Sequence, residues 1–327
     1  MMAVAVGIVA MAIWYRRPAS QPRSVTQAPS VHPATGSQSV SPSITPYVPT
    51  PAVAANSEQS LSSAIRLIVD EQAGYPKREE ALHALAGKLA EADREALYVF
   101  LRQHCPGDDG QLGQVLKNEL LDRLCQVELP PPGLRDLLTQ IYQDPGQNIV
   151  LRDYAIQHLS AFYRQMASAP GVDPQTHDDE LNQAQQVLWS SVNDTGSSIS
   201  GTAMLGLCQL SQEGWPGLDQ SKIGSTALKL AADSNAGELT RITAFQVCAN
   251  LGVKDALGVV LGAAQQGETE SVRISAIGAL GALGGADQLP FLNSVLQGSD
   301  ERLKPAAQGA LNRIEQRLRA AQANARG

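Results

Sequence analysis

The sequence predicts an all-α fold, a right-handed α-α superhelix of about seven stacked helical hairpins. Three observations predict it. Ala, Leu, Gly and Gln dominate while aromatics make up 4% of the 327 residues, and long β-branched runs are missing, which argues against a sandwich or barrel. Apolar residues past Glu58 recur with the 3.6-residue spacing of a buried helix face. One hairpin-sized pattern then repeats in register to the end of the chain, and such internal periodicity marks stacked architectures.

The chain divides into three parts. Residues 1–17 open with MMAVAVGIVAMAIWY, an uncharged apolar run closed by Arg16 and Arg17. It is a few residues short of the roughly 17–20 that a spanning helix needs. Trp14 and Tyr15 suit the interface, and the arginines suit snorkelling to it. The reading is a membrane anchor, with a cleaved signal peptide and an apolar tail as alternatives. A signal would need a basic leader and a small-x-small site. The absent leader and short span point to a start codon upstream of Met1. Residues 18–57 carry eight prolines, from Pro18 to Pro51, with no acid and no apolar period. Such a segment cannot bury enough surface to offset its chain entropy, and reads as a disordered, locally polyproline-II tether. Residues 58–327 hold the repeats.

The repeat is clearest near the end. Residues 287–296 read DQLPFLNSVL, a turn follows at 297–300, and residues 301–314 read ERLKPAAQGALNRI. One unit earlier KDALGVVL (254–261) leads to ESVRISAIGALGALG (270–284). Each second helix has an apolar residue, a basic or polar one, a small residue three further on, and an apolar residue four beyond that. The small-residue anchors are Ala81, Leu120 (where Leu replaces the small residue), Ala155, Ala203, Ala244, Ala276 and Ala307, spaced 39, 35, 48, 41, 32 and 31 residues apart. Offsets −4, 0 and +4 share one helix face. The small anchor lets neighbouring helices approach closely. A single hairpin cannot cover its own apolar stripe, so the units must stack.

Leu289-Pro290 with Asp300, and Val272-Arg273 with Ala276, Leu280 and Gly281, resemble the HEAT repeat family, and the likeness extends over most of residues 58–327. It is poorer at 105–147 and 166–200. The resemblance implies that a turn acid pairs with the base at offset −3, the counterparts here being Asp144 with Arg152, Glu238 with Arg241, Glu270 with Arg273 and Asp300 with Lys304. It also implies that the second helices line a concave partner-binding face.

Little else points to chemistry. Residues 1–57 carry a net charge of +3 and the remainder −10, so the body repels duplex phosphates and no nucleic-acid partner is expected. Cys105, Cys125, Cys208 and Cys248 form no CxxC pair. They read as packing thiols, with only Cys208 and Cys248 left open as a pair. Thr176-His177-Asp178-Asp179-Glu180 reads as acids capping a helix over 181–192 rather than as metal ligands. Gly107-Asp108-Asp109-Gly110 is turn chemistry, too short for a calcium loop. His83, His104 and His158 lack an HExxH partner, and no nucleophile elbow, phosphate loop or dinucleotide fingerprint is present. No catalytic residue, cofactor, metal or small-molecule substrate is therefore expected.

On the second helices, offsets −2 and +2 point away from the buried stripe. They are Glu79, His83, Asn118, Asp122, Asp153 and Gln157 in the early repeats and include Ile242 and Ile274 in the later ones. This face changes from acidic to apolar, which suits a peptide with basic and aliphatic ends. The functional expectation is a membrane-anchored scaffold or adaptor that is not an enzyme. The alternatives are an accessory factor or lyase-like enzyme, classes in which HEAT-like repeats also occur, and an architectural envelope protein. The arginines after the span place the repeats in the cytoplasm by the positive-inside rule. The tether's composition favours the extracytoplasmic, periplasmic side, towards which the reading leans.

Overall fold

The computed structural model describes residues 61–85, 87–104, 110–267 and 269–325. The expected anchor (1–17) and tether (18–57), Cys105 and residues 107–109 of the Gly-Asp-Asp-Gly loop lie outside the described residues. Fourteen α-helices and no strand are found among the described residues. They are α1 Ser63–Val69, α2 Tyr75–His83, α3 Glu91–Arg102, α4 Gly110–Cys125, α5 Leu134–Gln143, α6 Ile149–Ala167 and α7 Pro174–Ser191. There follow α8 Ile199–Gln212, α9 Gln220–Ala232, α10 Glu238–Asn250, α11 Leu257–Gln266, α12 Glu270–Leu283, α13 Leu289–Gln297 and α14 Lys304–Asn324. They pair in order as seven hairpins, an α-solenoid.

Local chemistry sets the helix starts. Ser62, Asn148, Asp173, Asp219 and Thr269 each accept a bond from a first-turn N–H, and proline occupies the first turn of α2, α7, α13 and α14. The boundary of α7 differs from expectation. Asp173 and Pro174 start the helix early, so Thr176 to Glu180 lie inside it rather than before it, and the cap is Asp173. Glu180 pairs with Arg135 of α5 at 2.6 Å, which gives that acid a structural role.

The repeat register places the core. All seven anchors are buried, as are the seven residues at offset +4: Leu85, Leu124, Leu159, Leu207, Cys248, Leu280 and Leu311. Each second helix packs on that of the next repeat, from α2 on α4 to α12 on α14, whereas the first helices meet more sparsely. The more closely packed row lies on the inside of a curved stack, so the second helices form the concave side. Small residues permit that spacing. A Cβ on Gly281 would lie 2.9 Å from the Ala310 Cα of α14, and one on Gly201 the same distance from Thr243 Oγ1 of α10.

In the first four repeats the residue at offset −3 has a job that the family likeness does not imply. Arg78 donates to the carbonyl of Ile68 at 2.8 Å, Lys117 to that of Leu101 at 3.3 Å and Arg152 to that of Tyr142 at 2.7 Å. Each acceptor is the penultimate residue of the first helix of the same hairpin. Ser200, where the pattern lacks its charge, donates to the Val192 carbonyl at 2.6 Å, at the same end of α7. The side chain thus ties the C-terminus of one helix to its partner, where free carbonyls and the dipole favour a donor or cation. Where the base meets a turn acid, the acid belongs to the next repeat: Arg152 with Asp194 at 3.5 Å and Arg273 with Asp300 at 4.0 Å. Asp144 instead takes His104 at 2.8 Å, Glu238 takes Thr269 at 2.9 Å, Glu270 takes Arg302, and Lys304 takes Glu301 at 2.6 Å. Apart from Lys304 with Glu301, which lie three residues apart in one repeat, these bonds run between repeats because the turns stack above one another along one edge.

Cys125, Cys208 and Cys248 are free and buried, and burial raises each thiol, Cys208 to about 11 and Cys248 to about 12. At physiological pH they are neutral packing groups.

Candidate partner-binding face

The concave row follows from helix geometry. With offsets 0 and +4 buried in every repeat, and −4 in all but the first, offsets −2 and +2 lie 160–200° around the helix from the anchor. His83 and Asp122 are exposed, and Glu79, Asn118, Asp153, Gln157, Ile242 and Ile274 are half-buried. Ile242 and Ile274 pack partly on the core. They mark successive repeats, α10 and α12, joined where the Ser275 hydroxyl donates to the Ile242 carbonyl at 3.3 Å.

Two of the polar positions are engaged in helix–helix joints. Asn118 Oδ1 lies 2.8 Å from Nε2 of His158, which is buried on the next second helix and is pushed down to about 4 by loss of water. A neutral His158 donating through Nε2 satisfies both groups. Asp153 turns towards the N-terminus of α8, where the Ser198 hydroxyl donates to it at 2.6 Å, and burial raises its carboxyl above the ordinary aspartate value. Asp153 is therefore not the open acid that its offset implies, because Ser198 and Thr202 of α8 close over it. The open polar end of the face consists of Glu79, His83, Asp122 and Gln157.

The structure also brings two of these positions together with a residue that the offset rule does not reach. Glu79 and His83, one helical turn apart on α2, face Glu119 of α4, and one ligand atom from each lies within 4.8 Å of the others. The Tyr75 hydroxyl sits beside both carboxylates and is raised by burial and by their charge. Burial and then Glu79 raise the Glu119 carboxyl. Glu119 occupies offset −1, which faces the preceding repeat. The i, i+4 spacing of Glu79 and His83 is visible in the sequence, but the third member comes from another hairpin.

A depression of about 390 Å³ lies elsewhere, between α7 and α9 of the first-helix row. Asn182, Gln185, Gln186, Trp189, Asp219 and Lys222 line it, with the Lys222 ammonium 4.2 Å from the centre of the Trp189 ring. Among the described residues no helix is long and apolar enough to cross a membrane.

Fold and face together define an α-solenoid of helical hairpins, an architecture that supports scaffold or interaction roles in general. Residues 225–312, most of the fifth hairpin, the sixth and most of the seventh, match the family model for HEAT repeats. No curated protein matches the chain. Among solved structures the chain is similar to an engineered protein at 14% identity and a TM-score of 0.39, over 78% of this chain and 98% of that one. It is also similar to human deoxyhypusine hydroxylase in complex with glycerol, at 16% identity and a TM-score of 0.31, over 78% of this chain and 95% of that one.

Proposed function

We propose that the chain is a membrane-anchored scaffold or adaptor that holds a protein or peptide partner along the concave second-helix row and catalyses no reaction itself. The observation that carries this reading is the row itself. The anchor and +4 positions are buried in all seven repeats, while Glu79, His83, Asp122 and Gln157 at one end and Ile242 and Ile274 at the other keep at least partial exposure, so the row changes from polar to aliphatic. An extended partner with a basic stretch at one end and aliphatic anchors at the other fits that gradient. The apolar run 1–15 would hold the solenoid at a membrane, with residues 18–57 as spacer, on the extracytoplasmic side.

The test compares partner capture from detergent extracts by the wild-type chain and by two double variants, Ile242→Asp/Ile274→Asp and Asp122→Lys/Gln157→Lys. Both change outward positions and should retain the helical circular dichroism. The expected outcome is a defined set of polypeptides on the wild type that is depleted at least about tenfold by each variant, the factor that 1.4 kcal/mol of lost contact gives. A set identical across all three proteins would remove the concave face from the account. Protease access to the repeats in intact cells separates the two orientations.

A further inference from the structure

The Glu79–His83–Glu119 group lies where the stack is loosest. Of the contacts between successive second helices, those of α2 with α4 are the sparsest. Two carboxylates and an imidazole converge across that joint from two different helices. The half-buried Glu119 carboxylate accepts from the Tyr75 hydroxyl, while its Oε2 is shut off from solvent without a hydrogen-bond partner. A sealed acceptor beside a second carboxylate calls for a cation, since both like charge and lost hydration oppose the arrangement without one.

From this geometry we propose that Glu79, His83 and Glu119 form a divalent transition-metal site that staples α2 to α4. The imidazole selects against calcium and magnesium, which take oxygen ligands, and in favour of a borderline ion such as zinc. Ligand atoms in a tetrahedral zinc shell with bonds of about 2.0–2.1 Å stand roughly 3.3 Å apart. The group spans at most 4.8 Å, so rotamer adjustments of an ångström or so close it. Three protein ligands leave a position for water. This inference does not rest on the partner-binding reading, and metal content is measured without any partner present.

The experiment uses the full-length chain in detergent, stripped with EDTA and titrated with zinc chloride under equilibrium dialysis. One zinc per chain is expected, undisplaced by millimolar calcium or magnesium. His83→Ala and Glu119→Gln should each weaken binding at least tenfold, whereas His104→Ala, which removes a different acid-paired imidazole, should leave it unchanged. Zinc should also slow amide exchange in α2 and α4 of the wild type and not of His83→Ala. Since His83 is exposed, its variant keeps the fold, and circular dichroism verifies this. Absence of stoichiometric zinc, or equal affinity in the wild type and both cluster variants, would overturn the site.

Discussion

His158 shows how a single side chain in this fold becomes a pH-dependent term. It sits on α6 against Asn118 of α4, is 4% exposed, and is held near a pKa of about 4 by burial. An unfolded histidine titrates near 6.5. Between those values the unfolded chain binds more protons than the folded one, so stability rises with pH and is lost as pH falls from about 6.5 to 4. The loss reaches an order of about 3 kcal/mol at roughly 1.4 kcal/mol per pH unit. Asp153 and Glu119 act in the opposite sense, since their raised carboxyls favour proton uptake on folding. The contribution of His158 is therefore isolated by difference. Urea melts of the wild type and His158→Gln between pH 7.5 and 4.5 should diverge, with the variant showing the flatter profile. Parallel profiles would mean that His158 is solvated or charged in the fold.

At the scale of the element, the second helices are governed by how near they come to one another. Gly281 faces the Ala310 Cα of α14, and the atom a methyl group would strike is backbone, which cannot swing aside. Gly281→Ala gains helix propensity, worth up to about 1 kcal/mol, but forces α12 and α14 apart. Overpacking of this kind costs about 1–3 kcal/mol, so the variant should melt earlier than the wild type, while Gly278→Ala, which meets nothing within 4 Å, should melt later. Equal shifts for the two would show that the interface yields. The alternation of seven hairpins, their register and the buried anchors were all legible in the sequence, because an apolar stripe at 3.6-residue spacing is a local signal. The partners of polar residues were not. Arg152 reaches back to Tyr142 and forward to Asp194, and Asp153 is covered by Ser198 from 45 residues away. Those contacts depend on how hairpins are stacked, which spacing within one helix does not encode. The Glu79–His83–Glu119 group was half visible for the same reason.

The repeat region, as described over residues 61–325, is a one-dimensional stack, and its stability is a sum of repeat terms and neighbour interfaces. The two ends are unequal. The first hairpin has helices of 7 and 9 residues, and its offset −4 position is the exposed Lys77 where five later repeats bury an apolar residue and the fifth a threonine. Its contact with the second hairpin is the sparsest along the row. The last hairpin ends in the 21-residue α14, whose Arg317 donates to the Gly281 and Gly284 carbonyls at the end of α12 and so closes the stack with charge-assisted bonds. Opening should therefore begin at the N-terminal end of the solenoid. In native-state hydrogen exchange with EDTA present, amides of α1 to α3 should exchange on the order of tenfold or more faster than those of α8, α10 and α12, because sub-global opening there breaks the weakest interface in the array. Exchange led by α13 and α14, or a single rate across all seven hairpins, would contradict this order. The slow core should then run through α8, α10 and α12, the same helices that present the aliphatic half of the concave face, so that a partner binding there meets a preorganised surface at little cost in ordering.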